Sequence, residues 1–410
     1  MVDFCFFYHP HTYDIDPGAQ VGLGLLLLAT YAKKLGASVR VINAQSSSSI
    51  ARAVLKIPRC KYLMMYGCLI DKPIIEEIGI ISRPRSDGIC IGGPIARSKI
   101  RNVDYIIMGF GEDLVHSLVH DNLSWHPEKL DHDINYYPFP DRSLIEGAYG
   151  GDIFKNGRES CDVSTTLLTS RGCRFKCAFC TSGSEEFFQE YSLDRIEKEL
   201  EHCLSLGIKN IRISDDNLVG NPKRLEKLCN LFKKANIKWR GSIRVSPSSI
   251  KMYQMMKESG CEELSFGIES GDQDVLNLLN KGVTISQSKK AIQNANKAHI
   301  LTRALIMMGT PGETEDTLYK NMAWVEEAKP NMVSLKIFVP YPGTDIYHNP
   351  EKYKCKIHLP LKEVNNSAYR PDGSKPEANI DNDNLSSRKL TWQFIKMKTY
   401  LEAGGIENRG

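Results

Sequence analysis

No stretch of this chain stays apolar for long. The longest run, Leu25–Leu26–Leu27–Leu28–Ala29, falls far short of the ~20 residues that span a bilayer, so no membrane span is expected. An excess of one charge is also missing: 53 Lys and Arg against 49 Asp and Glu leave a net charge of +4 over 410 residues. That is too little to argue for a nucleic-acid or membrane surface. The N-terminus, Met1–Val2–Asp3–Phe4, shows no basic segment and no signal-peptide cleavage pattern. Most of the 12 cysteines are scattered singly, which excludes a secreted disulfide framework and points to a reduced, cytoplasmic setting. What remains has the 41% hydrophobic and 25% charged residues of a globular protein, on a chain long enough for two domains.

One cysteine group is not scattered. In Arg171–Gly172–Cys173–Arg174–Phe175–Lys176–Cys177–Ala178–Phe179–Cys180, three cysteines with three and then two residues between them follow a β-branched run, 163–169. A strand running into a cysteine loop sets thiolates at the carboxyl end of a sheet, where α/β folds bind ligands. Thiolates suit zinc, copper(I) or iron–sulfur clusters. Structural zinc takes four ligands in paired spacings, and no second pair follows at that distance. A cluster with four irons and only three cysteine ligands keeps one iron open, which is the sharper reading. Buried cysteines serving as small hydrophobes are the bland alternative.

The rest of the chain alternates strands and helices. Residues 2–8, 38–42, 62–66, 89–91 and 105–108 read as strands, several running into glycine turns, with a helix from Gly22 to about Lys34 that Gly36 stops. This predicts an open parallel sheet of about 120 residues. From 163 the alternation resumes with longer helices, and strands end at Asp215–Asp216–Asn217, Arg244, Glu269, Met308 and Phe338. Six βα units predict an incomplete TIM-like barrel with its polar groups at one end. A helix over about 386–402 closes the chain.

The cysteine loop resembles that of the radical S-adenosylmethionine (SAM) superfamily, in which an aromatic precedes the third cysteine. Cys173, Cys177, Phe179 and Cys180 occupy those positions, and the likeness extends over roughly 160–345. Gly22–Leu23–Gly24–Leu25, Ile91–Gly92–Gly93–Pro94, Val103–Asp104–Tyr105 and Gly109–Phe110–Gly111–Glu112 resemble the cobalamin-binding-type domain that precedes many such modules. The expected organisation is an α/β chain: a Rossmann-like open sheet at 1–120 that is cobalamin-binding-like, a linker at 121–160, a partial (β/α)6 TIM-like radical SAM core at 161–345, and a small helical C-terminal extension at 346–410. The chain has no Asp-x-His-x-x-Gly, so the familiar cobalt-ligating histidine is missing. His9 and His11, after the first strand, are weak candidates for a metal.

The resemblance implies a [4Fe–4S] cluster on Cys173, Cys177 and Cys180, with SAM chelating the open iron and cleaved to a 5′-deoxyadenosyl radical. It further implies that the Phe179 backbone meets adenine, as does the loop of Gly309 and Gly312. Asp215 or Asp216 stands where relatives hold the SAM ammonium, although Asp216 or Asn217 would equally cap a helix. Glu269, followed by Ser270, looks like the strand-four acid that takes the ribose hydroxyls, and Arg244 and Arg303 are candidates for the SAM carboxylate. The remaining cysteines read as structural, with Cys161 or Cys355 the only conceivable reactive thiols. General acid–base residues cannot be named.

The leading expectation is therefore a cobalamin-dependent radical SAM methyltransferase acting on an unactivated carbon or a phosphinate, on a small-molecule or peptide substrate, with an external flavodoxin- or ferredoxin-type electron donor. Rearrangement or oxidation, with or without cobalamin, is the nearest rival. A methylthiotransferase would need a second three-cysteine set and a basic RNA-binding module, neither of which is visible. A non-catalytic cobalamin- or cluster-binding protein is the reading from another class.

Overall fold

The computed structural model describes residues 1–10, 22–45, 47, 49–120, 133–146, 164–184, 187–245, 249–359, 361 and 377–408. His11, Cys161 and most of the expected linker lie outside them. The chain divides into two compact units, one of Met1–Leu167 with Tyr191–Ile211 and one of Leu168–Glu190 with Arg212–Gly410.

The first unit begins with β1 (Val2–Tyr8), β2 (Val39–Asn43), β3 (Cys60–Tyr66), β4 (Ser86–Gly92) and β5 (Tyr105–Ile106), and β6 (Ile145–Glu146) joins them. The sheet order is β5-β4-β3-β1-β2-β6, with parallel pairing throughout. In Val-Asp-Phe-Cys-Phe-Phe-Tyr, Phe4 and Phe6 pack on one face with Leu26 and Ala29, while Cys5 and Phe7 pack on the other with Ile75 and Ile78. Such a continuous apolar strand is what a sheet covered on both faces requires. The order 2-1-3-4-5 reverses between β1 and β3, which opens a crevice at their carboxyl ends.

The first unit is also held by one buried cation. Arg142 is fully buried and bonds to Thr165 Oγ1 (3.0 Å), the Pro140 carbonyl (3.1 Å), the Thr166 carbonyl (2.6 Å) and Glu199 (2.7 Å). Arg195 reaches the other oxygen of Glu199 at 3.3 Å. Arg142 thus ties the Tyr136–Arg142 segment to the strand β7 (Ser164–Leu167) and to the helix Leu193–Ser205.

The second unit opens with an antiparallel ribbon, β8 (Ser170–Gly172) against β9 (Phe188–Glu190). Its parallel strands then follow in chain order: β10 (Asn210–Ile213), β11 (Lys238–Arg244), β12 (Cys261–Glu269), β13 (Leu301–Met308) and β14 (Met332–Ile337). The division between units runs through β10, and the sheet reads β17-β14-β13-β12-β11-β10-β7, where β17 is Glu407–Asn408. A small pair, β15 (Cys355–Ile357) and β16 (Ile380–Asn382), precedes the last helix, Ser387–Ala403. Sequential parallel strands with helices between them make a partial barrel, open rather than closed.

Within this sheet the strands alternate in period 2. Trp239, Gly241 and Ile243 are buried, while Arg240, Ser242 and Arg244 are half-buried; Ala304, Ile306 and Met308 alternate with Arg303, Leu305 and Met307 in the same way. The apolar set packs under helices, and the alternate set faces the concave side. Among the described residues no helix is long and apolar enough to cross a membrane.

Removing one partner of a buried, hydrogen-bonded ion pair leaves the other charge stranded. Arg142→Ala should therefore cost about 3–5 kcal/mol, read as a lower urea midpoint for the transition that reports the first unit. A midpoint equal to that of the parent protein would show that Arg142 does not hold this segment.

Candidate active site

The cysteine loop lies between the two strands of the β8–β9 ribbon, so its ends are fixed by backbone pairing from Ser170↔Glu190 to Gly172↔Phe188. Gly172 is required where the ribbon turns into the loop. Its φ is +81°, and a Cβ there would stand 2.0 Å from the Phe187 carbonyl oxygen. The entry is pinned from below by Asp215, which follows β10. One carboxylate oxygen accepts from the Thr169 N–H at 2.6 Å, and the other accepts from the Thr169 and Ser170 hydroxyls. Burial pushes the Asp215 carboxyl up against these bonds.

Asp216 points away from that junction. It is exposed and accepts a 2.9 Å bond from Ser182 Oγ, just past Cys180. Neither Asp216 nor Asn217 caps a helix: Asn221 caps Pro222–Lys234, and Asn217 Oδ1 accepts from the Arg244 N–H at 3.0 Å. Of the two acids, then, Asp215 has its oxygens filled by the strand it supports, while Asp216 keeps a solvent-facing carboxylate.

The three thiols are partly buried. Burial pushes Cys173 and Cys180 up, opposed by hydrogen bonds from the Phe175 N–H to Cys173 and from the Gly183 and Ser182 N–H groups to Cys180. Arg244, the last residue of β11, lies 3.0 Å through Nη1 from Cys177 Sγ and stacks over the Phe175 ring at 4.1 Å. N–H groups and a guanidinium aimed at sulfur are the surroundings that thiolate ligands need. Among the described residues no three Cys, His, Asp or Glu side chains converge as a single bound ion would require. Three cysteines on one loop are the kind of donor set that iron–sulfur clusters take.

Glu269 ends β12 after a register shift between Gly267 and Glu269, with φ +67°. Its Oε1 lies 2.7 Å from Lys281 Nζ, and both side chains are buried. Ser270 is turned inward, bonding Asn321 Oδ1 at 3.3 Å and accepting from the Asp272 N–H at 3.1 Å. Arg303 sits near the amino end of β13, where Nη2 pairs with the buried Glu263 at 3.0 Å. The structure thus brings Arg244 to the cysteines and engages Arg303 with Glu263.

The loop after β13 is tightly made. Gly309 and Gly312 both have φ +82°, and a Cβ on Gly312 would press within 2.7 Å of Leu278. Glu313 is buried, and its Oε1 accepts from the Thr310 N–H (2.8 Å) and hydroxyl (2.9 Å), while Oε2 has no partner among the described residues. Asn382 Nδ2 donates to the carbonyls of Thr310 (3.2 Å) and Glu313 (3.1 Å), so the segment beyond residue 346 buttresses this loop. Lys281, Ser182 and Asn382 escape sequence reading because each is ordinary in its local setting; Asn280–Lys281–Gly282 looks like a plain helix end.

In the first unit, the β1/β3 crevice holds His9. Its Nε2 is 3.0 Å from the Tyr66 carbonyl and its Nδ1 is 3.1 Å from the Pro10 carbonyl, so both ring nitrogens of this buried residue face carbonyl oxygens. Gly93, with φ +92°, lets the chain pass the Tyr66 ring, which a Cβ would approach to 2.6 Å. Tyr66, Ile106 and Met108 leave apolar surface exposed at the ends of β3 and β5.

Fold and site together define an α/β protein with a Rossmann-type sheet and a partial barrel that carries a three-cysteine loop. Residues 167–325 match the model of the radical SAM superfamily. An uncharacterised methyltransferase of Pyrococcus horikoshii is 30% identical over 227 residues, 54% of this chain and 48% of that protein. The bacteriochlorophyllide d C-8(2)-methyltransferase of Chlorobaculum tepidum is 25% identical over 330 residues, 73% of this chain and 67% of that one. Among solved structures, the radical SAM methyltransferase TsrM of Kitasatospora setae, with cobalamin and a [4Fe–4S] cluster bound, superposes with a TM-score of 0.63 at 13% identity. It covers 86% of this chain and 75% of that chain, a likeness that shows the fold. Residues 167–325 carry a radical SAM domain. The chain spans about half the length of the first curated relatives it matches.

Burial raises the Glu313 carboxyl from its ordinary 4.5 to about 7, with the Asp272 charge adding to the rise. Between those values the folded chain holds a proton that the unfolded chain has released, so stability falls with rising pH and levels off above the folded pKa. The slope from this one group is at most about 1.4 kcal/mol per pH unit. Glu313→Gln, which keeps the acceptor for Thr310, should flatten that stretch of the stability profile and leave the variant at least as stable as the parent at alkaline pH. Denaturant midpoints across the range test this, and an unchanged profile would place the titration elsewhere.

Proposed function

We propose that the chain is a radical SAM enzyme of the cytoplasm that binds a [4Fe–4S] cluster through Cys173, Cys177 and Cys180 and cobalamin in its N-terminal unit, and that it transfers a methyl group to an unactivated carbon or phosphinate of a small-molecule or peptide substrate. The single observation that carries the reading is the three-cysteine loop held in a ribbon at the carboxyl end of a partial barrel. When bound, the cluster with SAM supplies radical initiation by reductive cleavage of a sulfonium, and cobalamin supplies a transferable methyl group.

In this reading the protein's own groups bind and orient. Asp216 would hold the SAM ammonium by a charge-assisted bond, since its carboxylate is exposed beside the loop whereas that of Asp215 is taken. Arg244, already beside Cys177, would meet the SAM carboxylate. Glu269 would take the ribose hydroxyls, and the Phe179 and Gly309–Glu313 backbone would pack on adenine, an approach that positive-φ glycines permit. Ser270 and Arg303 would act through the groups they support. Cobalamin is supported by the β1/β3 crevice, where Tyr66 leaves apolar surface exposed at the end of β3, a setting for a flat macrocycle. With both nitrogens of His9 facing carbonyl oxygens, cobalt would be held without that histidine. An external flavodoxin- or ferredoxin-type donor would deliver the electron.

Anaerobically reconstituted protein should bind cobalamin, seen by its absorbance, and should release 5′-deoxyadenosine when reduced with SAM. Protein that forms the cluster but binds no cobalamin would leave cobalamin-free rearrangement or oxidation as the reading. Cys177→Ala should lose the visible iron–sulfur absorption of a thiolate-bound cluster; a variant that keeps its full iron content would show that the ligands are misassigned.

A further inference from the structure

The segment Leu279–Asn280–Lys281 touches the cysteine loop at three consecutive points. The Ala178 N–H donates to the Leu279 carbonyl at 3.0 Å. Asn280 Nδ2 donates to the Lys176 carbonyl at 2.7 Å. Lys281 Nζ sits 5.7 Å from the centre of the Phe179 ring, within cation–π range. The same ammonium group bonds Glu269 Oε1 at 2.7 Å. One short segment therefore joins the loop that carries the thiols to the acid at the end of β12.

The local chain is shaped for that junction. Asn280 has φ +52° and Gly282 φ +60°, a turn that points the lysine inward. Glu269 itself stands at φ +67°, uncommon for a residue with a side chain and found where the surroundings over-determine it. At Gly267 a Cβ would lie 2.7 Å from Glu269 Oε1 and 2.9 Å from Lys281 Nζ, so the absence of a side chain there makes room for the pair. Lys281 occupies Oε1, and among the described residues Glu269 Oε2 receives no hydrogen bond. A carboxylate with one oxygen anchored and the other open is an acceptor for a further donor.

We propose that Lys281 is a positioning residue: it holds Glu269 oriented so that its free oxygen accepts the ribose hydroxyls of SAM, in register with the cysteine loop that the same segment clamps. The inference rests on the functional reading above. Lys281 touches no reacting atom, and its effect passes through Glu269. Its loss should weaken the recognition of the ribose and leave the cluster intact.

The test is a binding cycle on reconstituted, cluster-loaded protein with two probes, SAM and its 2′,3′-dideoxy analogue, beside iron content per chain. The parent should prefer SAM over the analogue by roughly 10–100-fold, the scale of losing hydrogen bonds to a charged group. Lys281→Met should bind the analogue within about twofold of the parent, the scatter of independent changes, while losing most of the preference for SAM. Lys281→Arg, which keeps the charge, should recover part of it. Asn280→Gly keeps the turn and removes only the bond to Lys176, so it should leave the ribose preference as in the parent. A Lys281→Met protein with the parent's iron content and undiminished preference for SAM would overturn the proposal, as would loss of iron in parallel with loss of SAM, since that would make the lysine a clamp on the loop alone. Parent protein that holds its cluster but binds neither probe would overturn the functional reading itself.

Discussion

The carboxylate of Asp215 accepts three hydrogen bonds from the two residues that lead β7 into β8, and the cysteine loop takes its geometry from there. A buried acid of this kind is expensive unless fully satisfied, so Thr169 and Ser170 are held in one arrangement. Their position starts the β8–β9 ribbon, and the ribbon in turn fixes both ends of the segment with Cys173, Cys177 and Cys180. Arg224 Nη2 donates to the Thr169 carbonyl at 2.9 Å from the other side, so this corner is bonded from two directions.

Around that loop the barrel distributes different duties to similar residues. Arg244 and Arg303 stand on the strands that flank β12, yet one ends its strand beside a thiol and the other sits near the amino end of its strand beside a buried Glu263. Asp215 and Asp216 are adjacent in the chain and point apart, one into the strand junction and one toward Ser182. Height along the strand and parity within it decide which groups can meet a ligand at the carboxyl end. The turn at 309–313 adds a third edge, held from outside by Asn382, which gives the chain beyond the barrel a place in the site's architecture.

How far this is legible without coordinates depends on the range of the interaction. The cysteine spacing, the β/α alternation and the glycine turns are local patterns, and the observed β1–β5 and β10–β14 coincide closely with runs of β-branched and aromatic residues. The strand expected at 105–108 forms only over Tyr105–Ile106, because the chain leaves the sheet edge early for the glycine turn at Gly109. Segment 134–146 looks like a proline-broken connector, yet it adds β6 to the first sheet and buries Arg142. Pairing of that kind is invisible to periodicity, since two residues of edge strand leave no pattern to read.

Composition and local motif were enough to forecast a parallel α/β chain and to single out three cysteines whose spacing suits a soft metal cluster. These properties reside in hydrophobic period and in ligand spacing, both short-range. Tertiary structure alone decided that Lys281, twelve residues beyond Glu269, returns to pair with it while also facing Phe179, and that Asn382 reaches back to Thr310. Those contacts depend on which strands are neighbours and on a one-residue shift in β12, and no local preference of an Asn-Lys-Gly turn carries that information.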